Sequence, residues 1–209
     1  VKRVIFCDFD GTITVEETFV AVLKRFAPEV AANVIPQMYA RRVTLREGVR
    51  TILESIPSAS YPEILEFTRP QPIRSGFAQL LDFLDVQQVP LVVVSGGLRG
   101  MVETVLGGLL QRVKAIHAVD VDTDGDNLQV ISKYEAGTEL IAKVQVMAEY
   151  PADEQIAIGD SLTDLNMALH ADLVFARHPL TKYLDEQQKP YISWDDFGEI
   201  HCYLESLWK

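Results

Sequence analysis

An α/β fold, built on a doubly wound parallel sheet with a small helical unit inserted after the first strand, is the architecture that this 209-residue sequence predicts. Short apolar runs that end in small or acidic residues recur along the chain, as buried parallel strands do. Segments with apolar residues three to four apart lie between them, as helices packed on a sheet do. One long interval, residues 16–72, shows the second pattern without the first.

The first run, Val4 to Cys7, ends at Asp8. Helical spacing follows in Phe19, Val22, Leu23 and Phe26, and again in Val49, Ile52, Leu53 and Ile56, with no convincing strand. Pro70 and Pro72, with Gly76 soon after, mark the return to the main unit. The expected division is a core of residues 1–15 and 73–209 and a helical cap of residues 16–72. Phe77, Leu80, Leu81 and Leu84 predict the next helix, Leu91 to Val94 a strand ending at Ser95, and Val102, Val105, Leu106 and Leu109 another helix. Ile116 to Val119 ends at Asp120, and Asp124-Gly125 between β-prone stretches predicts a small hairpin. Strands at Ile156 to Ile158, before Gly159-Asp160, and at Leu173 to Ala176, before Arg177, complete the series. In sheets of this kind ligands sit beyond the carboxyl ends of the strands, where Asp8, Ser95 and Asp160 all fall.

Composition removes several classes of function. With 19 basic against 30 acidic residues the formal charge is -11, which opposes binding by counterion release, so nucleic acid is not an expected partner. Two cysteines, Cys7 and Cys202, lie far apart, giving neither a disulfide framework nor a thiolate metal site, and a reducing cytoplasm is the expected setting. The N-terminal apolar run is too short for a signal segment or a membrane span, so no membrane partner is expected. His117, His170, His178 and His201 show no i, i+4 pair that would suggest zinc. Asp120, Asp122, Asp124 and Asp126 copy the first half of a calcium loop, but Ile131 stands where a bidentate Glu is required.

The chemistry lies at the strand ends. Asp8-Phe9-Asp10-Gly11-Thr12 sets two carboxylates two residues apart after a strand. Asp8 suits a nucleophile toward phosphorus once a divalent cation neutralises the phosphate, and Asp10 suits the acid and base of the two half-reactions. Asp160 and Asp164, four apart as a helix begins, supply hard oxygen ligands for Mg2+, together with Asp8 and the Asp10 carbonyl; helix capping is the competing use of the same residues. Ser95 and Gly96, at an expected strand-to-helix turn, suit a phosphate cradle, with an ordinary turn as the competing reading. The balancing cation is Lys143, with Lys133 as the alternative.

Together, Asp8-Phe9-Asp10-Gly11-Thr12, Ser95, Lys143 and Gly159-Asp160-Ser161-Leu162-Thr163-Asp164 resemble the four ordered motifs of haloacid dehalogenase phosphatases. The resemblance implies a Mg2+-dependent phosphomonoester hydrolase acting on a small phosphorylated metabolite through an aspartyl phosphate. The helical insert looks like the cap of the phosphoserine-phosphatase-like branch. Phe26-Ala27-Pro28, Arg46-Glu47-Gly48-Val49, Ile73-Arg74-Ser75-Gly76-Phe77 and Leu173-Val174-Phe175-Ala176-Arg177 are most similar to methionine-salvage members of that branch, although the cysteine-rich segment of some relatives is missing. Glu17 and Arg50 match positions that bind the amino and carboxylate groups of phosphoserine, which keeps that substrate as the alternative. Transfer to an acceptor alcohol, or phosphometabolite binding without turnover, are outcomes of another class that the same residues allow.

Overall fold

The computed structural model describes all 209 residues, Val1–Lys209. In chain order the elements are β1 (Arg3–Cys7), α1 (Thr18–Phe26), α2 (Pro28–Tyr39), α3 (Leu45–Leu53), α4 (Tyr61–Thr68), α5 (Phe77–Gln87) and β2 (Leu91–Leu98). They continue as α6 (Arg99–Leu106), β3 (Ala115–Asp122), β4 (Gln129–Ile131), α7 (Lys143–Ala148), β5 (Glu154–Gly159) and α8 (Leu165–His170). The chain closes with β6 (Leu173–Ala176), α9 (Leu180–Glu186), β7 (Ile192–Ser193) and α10 (Phe197–Leu207). The seven strands form one sheet in the order β4-β3-β2-β1-β5-β6-β7. Every neighbouring pair is parallel except β3 with β4, the acidic hairpin, in which Asp120 faces Ile131.

The central strands are apolar throughout because both faces of the sheet are covered. Val4 and Phe6 of β1, with Val92 and Val94 of β2, point into one cluster, whereas Ile5, Cys7, Leu91 and Val93 point into the other. Period-two alternation therefore sorts one continuous hydrophobic run into two cores. The second core is closed by α5 and α10, through Phe77, Leu80, Phe197 and Ile200. The first takes in the sheet and the insert together: Phe19, Val22, Leu23, Ile52 and Ile64 belong to the same cluster as Val94 and Met101.

Between β1 and α5 the chain forms helices and no strand, although only α1 and α3 show clear apolar spacing in the sequence. The α2 segment begins with Pro28 at its first turn and carries Pro36 inside, which blurs its pattern. By contrast, α3 announces itself through Thr44, which accepts from Glu47 N at 3.1 Å while Glu47 accepts from Thr44 N at 3.2 Å. The turn expected at Ser95 is drawn out: β2 runs on to Leu98, with a register shift against β3 between Val94 and Leu98. No helix is long and apolar enough to cross a membrane.

Phe197, fully buried, packs its ring centroid 4.9 Å from Phe77 and 5.0 Å from Trp194. Phe197→Ala should destabilise the protein by about 3–5 kcal/mol, read as a lower urea midpoint with an unchanged slope.

Candidate active site

Register places the polar groups. Cys7 pairs with Val93 on one side and with Ile158 on the other, so Asp8 and Asp160, just past β1 and β5, and Ser95, within β2, gather toward the carboxyl ends of neighbouring strands. Asp8 N donates to the Ile158 carbonyl at 2.9 Å, extending the ladder one residue past the strand and fixing the Asp8 backbone. Lys143 opens α7, and its Nζ donates to Asp8 Oδ1 at 2.6 Å and to Asp164 Oδ1 at 2.5 Å. All four charged side chains are buried, with 2 % relative exposure at Lys143 and 0 % at Asp164. Asp8, Asp160 and Asp164 each offer a carboxylate oxygen, the three lying within 4.8 Å of one another.

Local geometry explains how so many charges approach. Asp164 Oδ2 accepts from Asp160 N at 2.9 Å and from Ser161 N at 3.0 Å, so Asp164 caps its own turn while its other oxygen faces Lys143. Capping and pocket formation, which compete as readings of the sequence, are performed by one side chain. A Cβ on Gly159 would lie 2.6 Å from Asp164 Oδ2, and one on Gly11 would lie 2.5 Å from Asp160 Oδ2. Gly11 also has φ +84°, a left-handed conformation that glycine adopts without strain. Thr12 Oγ1 donates to Asp160 Oδ1 at 3.1 Å.

Asp10 stands apart from the three-carboxylate cluster. Its Oδ1 accepts from Thr18 N at 2.6 Å and its Oδ2 from Phe19 N at 2.9 Å, so it binds the first N–H groups of α1. Ser95 is buried and its Oγ accepts from Gly97 N at 3.1 Å, while Gly96 borders open space. Gly97 lies under Phe19, whose Cγ would be 3.5 Å from a Cβ at that glycine.

Of the two lysines, Lys143 is the one brought to the carboxylates. Lys133 is exposed and donates to Tyr134 Oη and Glu149 Oε1, each at 3.0 Å. Glu17 is exposed immediately before α1, close enough to Asp10 and Asp160 to raise both carboxyls slightly. Arg50 does not join the group: its guanidinium donates to Glu54, Glu135 and the Val130 carbonyl at 3.1, 2.6 and 3.0 Å. Sequence reasoning missed the backbone donors at Thr18 and Phe19 and the Thr12 hydroxyl. Only Thr12 left a signal, as part of the first acidic motif.

Burial dominates the titration of the site. It pushes Asp8 well above the usual carboxylate range, with Asp164 and Asp160 adding repulsion and Lys143 opposing. Asp160 is raised to about 7 by burial and then by Asp164. Asp10 is raised to about 6, again by burial, against the lowering effect of the Phe19 and Thr18 N–H groups. Burial alone would lower Lys143, but Asp164 and Asp8 together hold it above an ordinary lysine. Three carboxylates facing one ammonium leave excess negative charge, and their hard oxygens suit a divalent cation such as Mg2+.

A parallel α/β sheet with clustered acids and a buried lysine at its carboxyl edge defines a class, and the class has a name. The chain belongs to the haloacid dehalogenase-like hydrolase family, whose model matches residues 5–169. More particularly, it is 54% identical over 205 residues to a 2-hydroxy-3-keto-5-methylthiopentenyl-1-phosphate phosphatase of Microcystis aeruginosa, covering 97% of this chain and 98% of the relative. A phosphatase of the same name from Bacillus cytotoxicus is 30% identical over 211 residues, covering 97% and 96%. Among solved structures, a substrate-bound phosphoserine phosphatase complex superposes with a TM-score of 0.71 at 20% identity, covering 97% of this chain and 98% of that one, a likeness of fold.

Asp160 rises from an unfolded value near 3.8 to about 7, so the folded state holds the extra proton between those values. Its contribution to stability therefore falls as pH rises through 7, and is most favourable in acid. In chelator, the melting temperature should increase as pH is lowered from 8 to 6, and Asp160→Asn should flatten that slope and stabilise the pH 8 protein by about 4 kcal/mol at most.

Proposed function

We propose that this chain is a Mg2+-dependent phosphomonoester hydrolase working through an aspartyl phosphate on Asp8, and that residues 16–72 act as a cap over the substrate. The observation that carries the reading is the bridge from Lys143 to Asp8 and Asp164, which sets a cation beside a buried carboxylate at the sheet edge. Asp8, Asp160 and Asp164, with the Asp10 carbonyl, would hold Mg2+, which when bound neutralises phosphate charge and orients the ester. Lys143 Nζ and the Ser95 hydroxyl, with Gly96 N–H, bind the phosphate oxygens.

A carboxylate oxygen of Asp8 attacks phosphorus and the bond to the leaving oxygen breaks. Asp10, raised to about 6, can carry the proton that the departing alkoxide takes up. Water then attacks the phosphorus, returns a proton to Asp10 and frees the Asp8 carboxylate. Transfer to another alcohol would differ only in this second half.

The substrate we infer is 2-hydroxy-3-keto-5-methylthiopentenyl-1-phosphate, a methionine-salvage ester, supported by 54% identity across almost the whole of a relative so named. Phosphoserine is the weaker reading, because the guanidinium of Arg50, needed for its carboxylate, is already paired with Glu54 and Glu135. The paucity of cysteines and the absence of a membrane-length helix support a cytoplasmic setting.

Asp8→Asn should lower kcat by about a thousandfold or more, and chelation should abolish turnover until Mg2+ is returned. Substantial activity in Asp8→Asn would overturn the mechanism. Lys143→Ala should in addition destabilise the fold by about 3–5 kcal/mol, because it strands buried carboxylates without their partner. Comparing kcat/KM on the methylthiopentenyl ester with that on phosphoserine tests the substrate, and a preference for phosphoserine would displace the assignment.

A further inference from the structure

The turn that follows the nucleophile strand contains five consecutive carbonyls, and one residue answers all of them. Arg74 Nε donates to Thr12 O at 2.9 Å, and Nη2 donates to Gly11 O at 2.7 Å, Thr14 O at 3.2 Å and Val15 O at 3.4 Å. The remaining carbonyl, that of Ile13, accepts from the Arg74 main-chain N–H at 2.7 Å. Thr12, Ile13 and Thr14 are fully buried, so carbonyls left there without a donor would each cost about 1–3 kcal/mol. Residues 11–15 lie outside any helix or strand, and the guanidinium supplies the hydrogen bonds that regular structure otherwise would.

This turn connects the two ends of one clamp. At its start stands Asp10; just beyond it are the Thr18 and Phe19 N–H groups that hold the Asp10 carboxylate at 2.6 and 2.9 Å. The conformation of residues 11–15 therefore sets where those donors sit, and hence where the Asp10 carboxyl points. A planar fork with several donors can serve four carbonyls at once, whereas a lysine ammonium is a point donor. The guanidinium is itself held in place: it lies 5.7 Å from the ring centroid of buried Trp194, against which Arg177 also rests at 5.3 Å.

We infer that Arg74 is a positioning residue for the reaction, acting through Asp10 by fixing the turn that carries the Asp10 donors. The inference rests on the roles given above to Asp8 and Asp10. It concerns proton delivery to the leaving group, so its signature is selective. An alkoxide leaving group needs the Asp10 proton, whereas p-nitrophenolate departs as a stable anion and needs little help. kcat/KM reports the steps up to formation of the aspartyl phosphate, before water enters.

The experiment measures kcat/KM for Arg74→Ala, Arg74→Lys, Asp10→Asn and Asp8→Asn on p-nitrophenyl phosphate and on the alkyl phosphate that the wild type turns over fastest. Arg74→Ala should lose about 30-fold or more on the alkyl ester and less than about 3-fold on the aryl ester, the same asymmetry as Asp10→Asn. Arg74→Lys should show the same asymmetry, and millimolar guanidinium should restore part of the alkyl activity of Arg74→Ala. Thermal melts give the folded fraction of each variant, and where Arg74→Ala does not fold, Arg74→Lys decides. Equal fractional losses on both esters, or no loss, would overturn the inference and assign Arg74 to stability alone. An active Asp8→Asn would instead overturn the underlying mechanism, whatever the Arg74 variants do.

Discussion

Burying one ammonium against three carboxylates is the constraint around which the rest of this protein is arranged. Lys143, Asp8, Asp160 and Asp164 are nearly inaccessible to water, where an unpaired charge would cost several kcal/mol. The surroundings meet that cost group by group: two N–H groups serve Asp164, a threonine hydroxyl serves Asp160, and Lys143 serves Asp8 and Asp164. The charges still do not balance. Burial raises the carboxyls first and their mutual repulsion adds to it, while the acidic excess gives a donor set that suits a further cation. Gly11 and Gly159 belong to the same constraint, since a side chain at either would occupy the space of a carboxylate oxygen.

Two aspartates only two residues apart are given opposite surroundings. Asp8 faces the Lys143 ammonium, which opposes the rise that burial and the neighbouring Asp164 impose on its carboxyl. Asp10 has no cationic partner, accepting from the Thr18 and Phe19 N–H groups at the start of α1, and burial raises it to about 6. A strand puts neighbours two apart on the same face, but β1 ends at Cys7 and the chain turns from Asp10, so the second carboxylate meets α1 and not the sheet. Different environments for paired acids are what the proposed division into nucleophile and proton carrier requires.

The legible parts of this architecture are those governed by short-range rules. Apolar runs such as Val4 to Cys7 and Ile156 to Ile158 are strands because burial on both faces leaves them no polar positions, and the hairpin at Asp124-Gly125 follows from turn chemistry. Asp8 and Asp160 are legible because each ends such a run. Other features depend on tertiary contact and escape a linear reading. The choice of Lys143 over Lys133 is made by where α7 begins, since both lysines follow β4. β7 has only two residues and exists because β6 offers it an edge, while α2 and α4 carry prolines and aromatic residues whose spacing does not repeat cleanly. The partner of Arg50 is equally out of linear reach, since Glu135 lies 85 residues further on.

The insert is tied to the chemistry through its connections. The outgoing and returning chains pair at Thr14 and Ile73, and Val15 N donates to the Pro72 carbonyl at 3.1 Å, so the two crossings behave as one strap. From that strap α1 rises directly, carrying the N–H groups that hold Asp10 and the Phe19 ring that covers Gly97 beside Ser95. Any displacement of α1 from β1 thus pulls at the Asp10 carboxylate and uncovers Gly97 beside Ser95 together. Because the insert also shares a continuous apolar cluster with one face of the sheet, such displacement exposes hydrophobic surface and is opposed at about 25 cal/mol for each Å² uncovered. The contacts that hold the insert on the sheet are therefore the same ones that fix the Asp10 carboxylate.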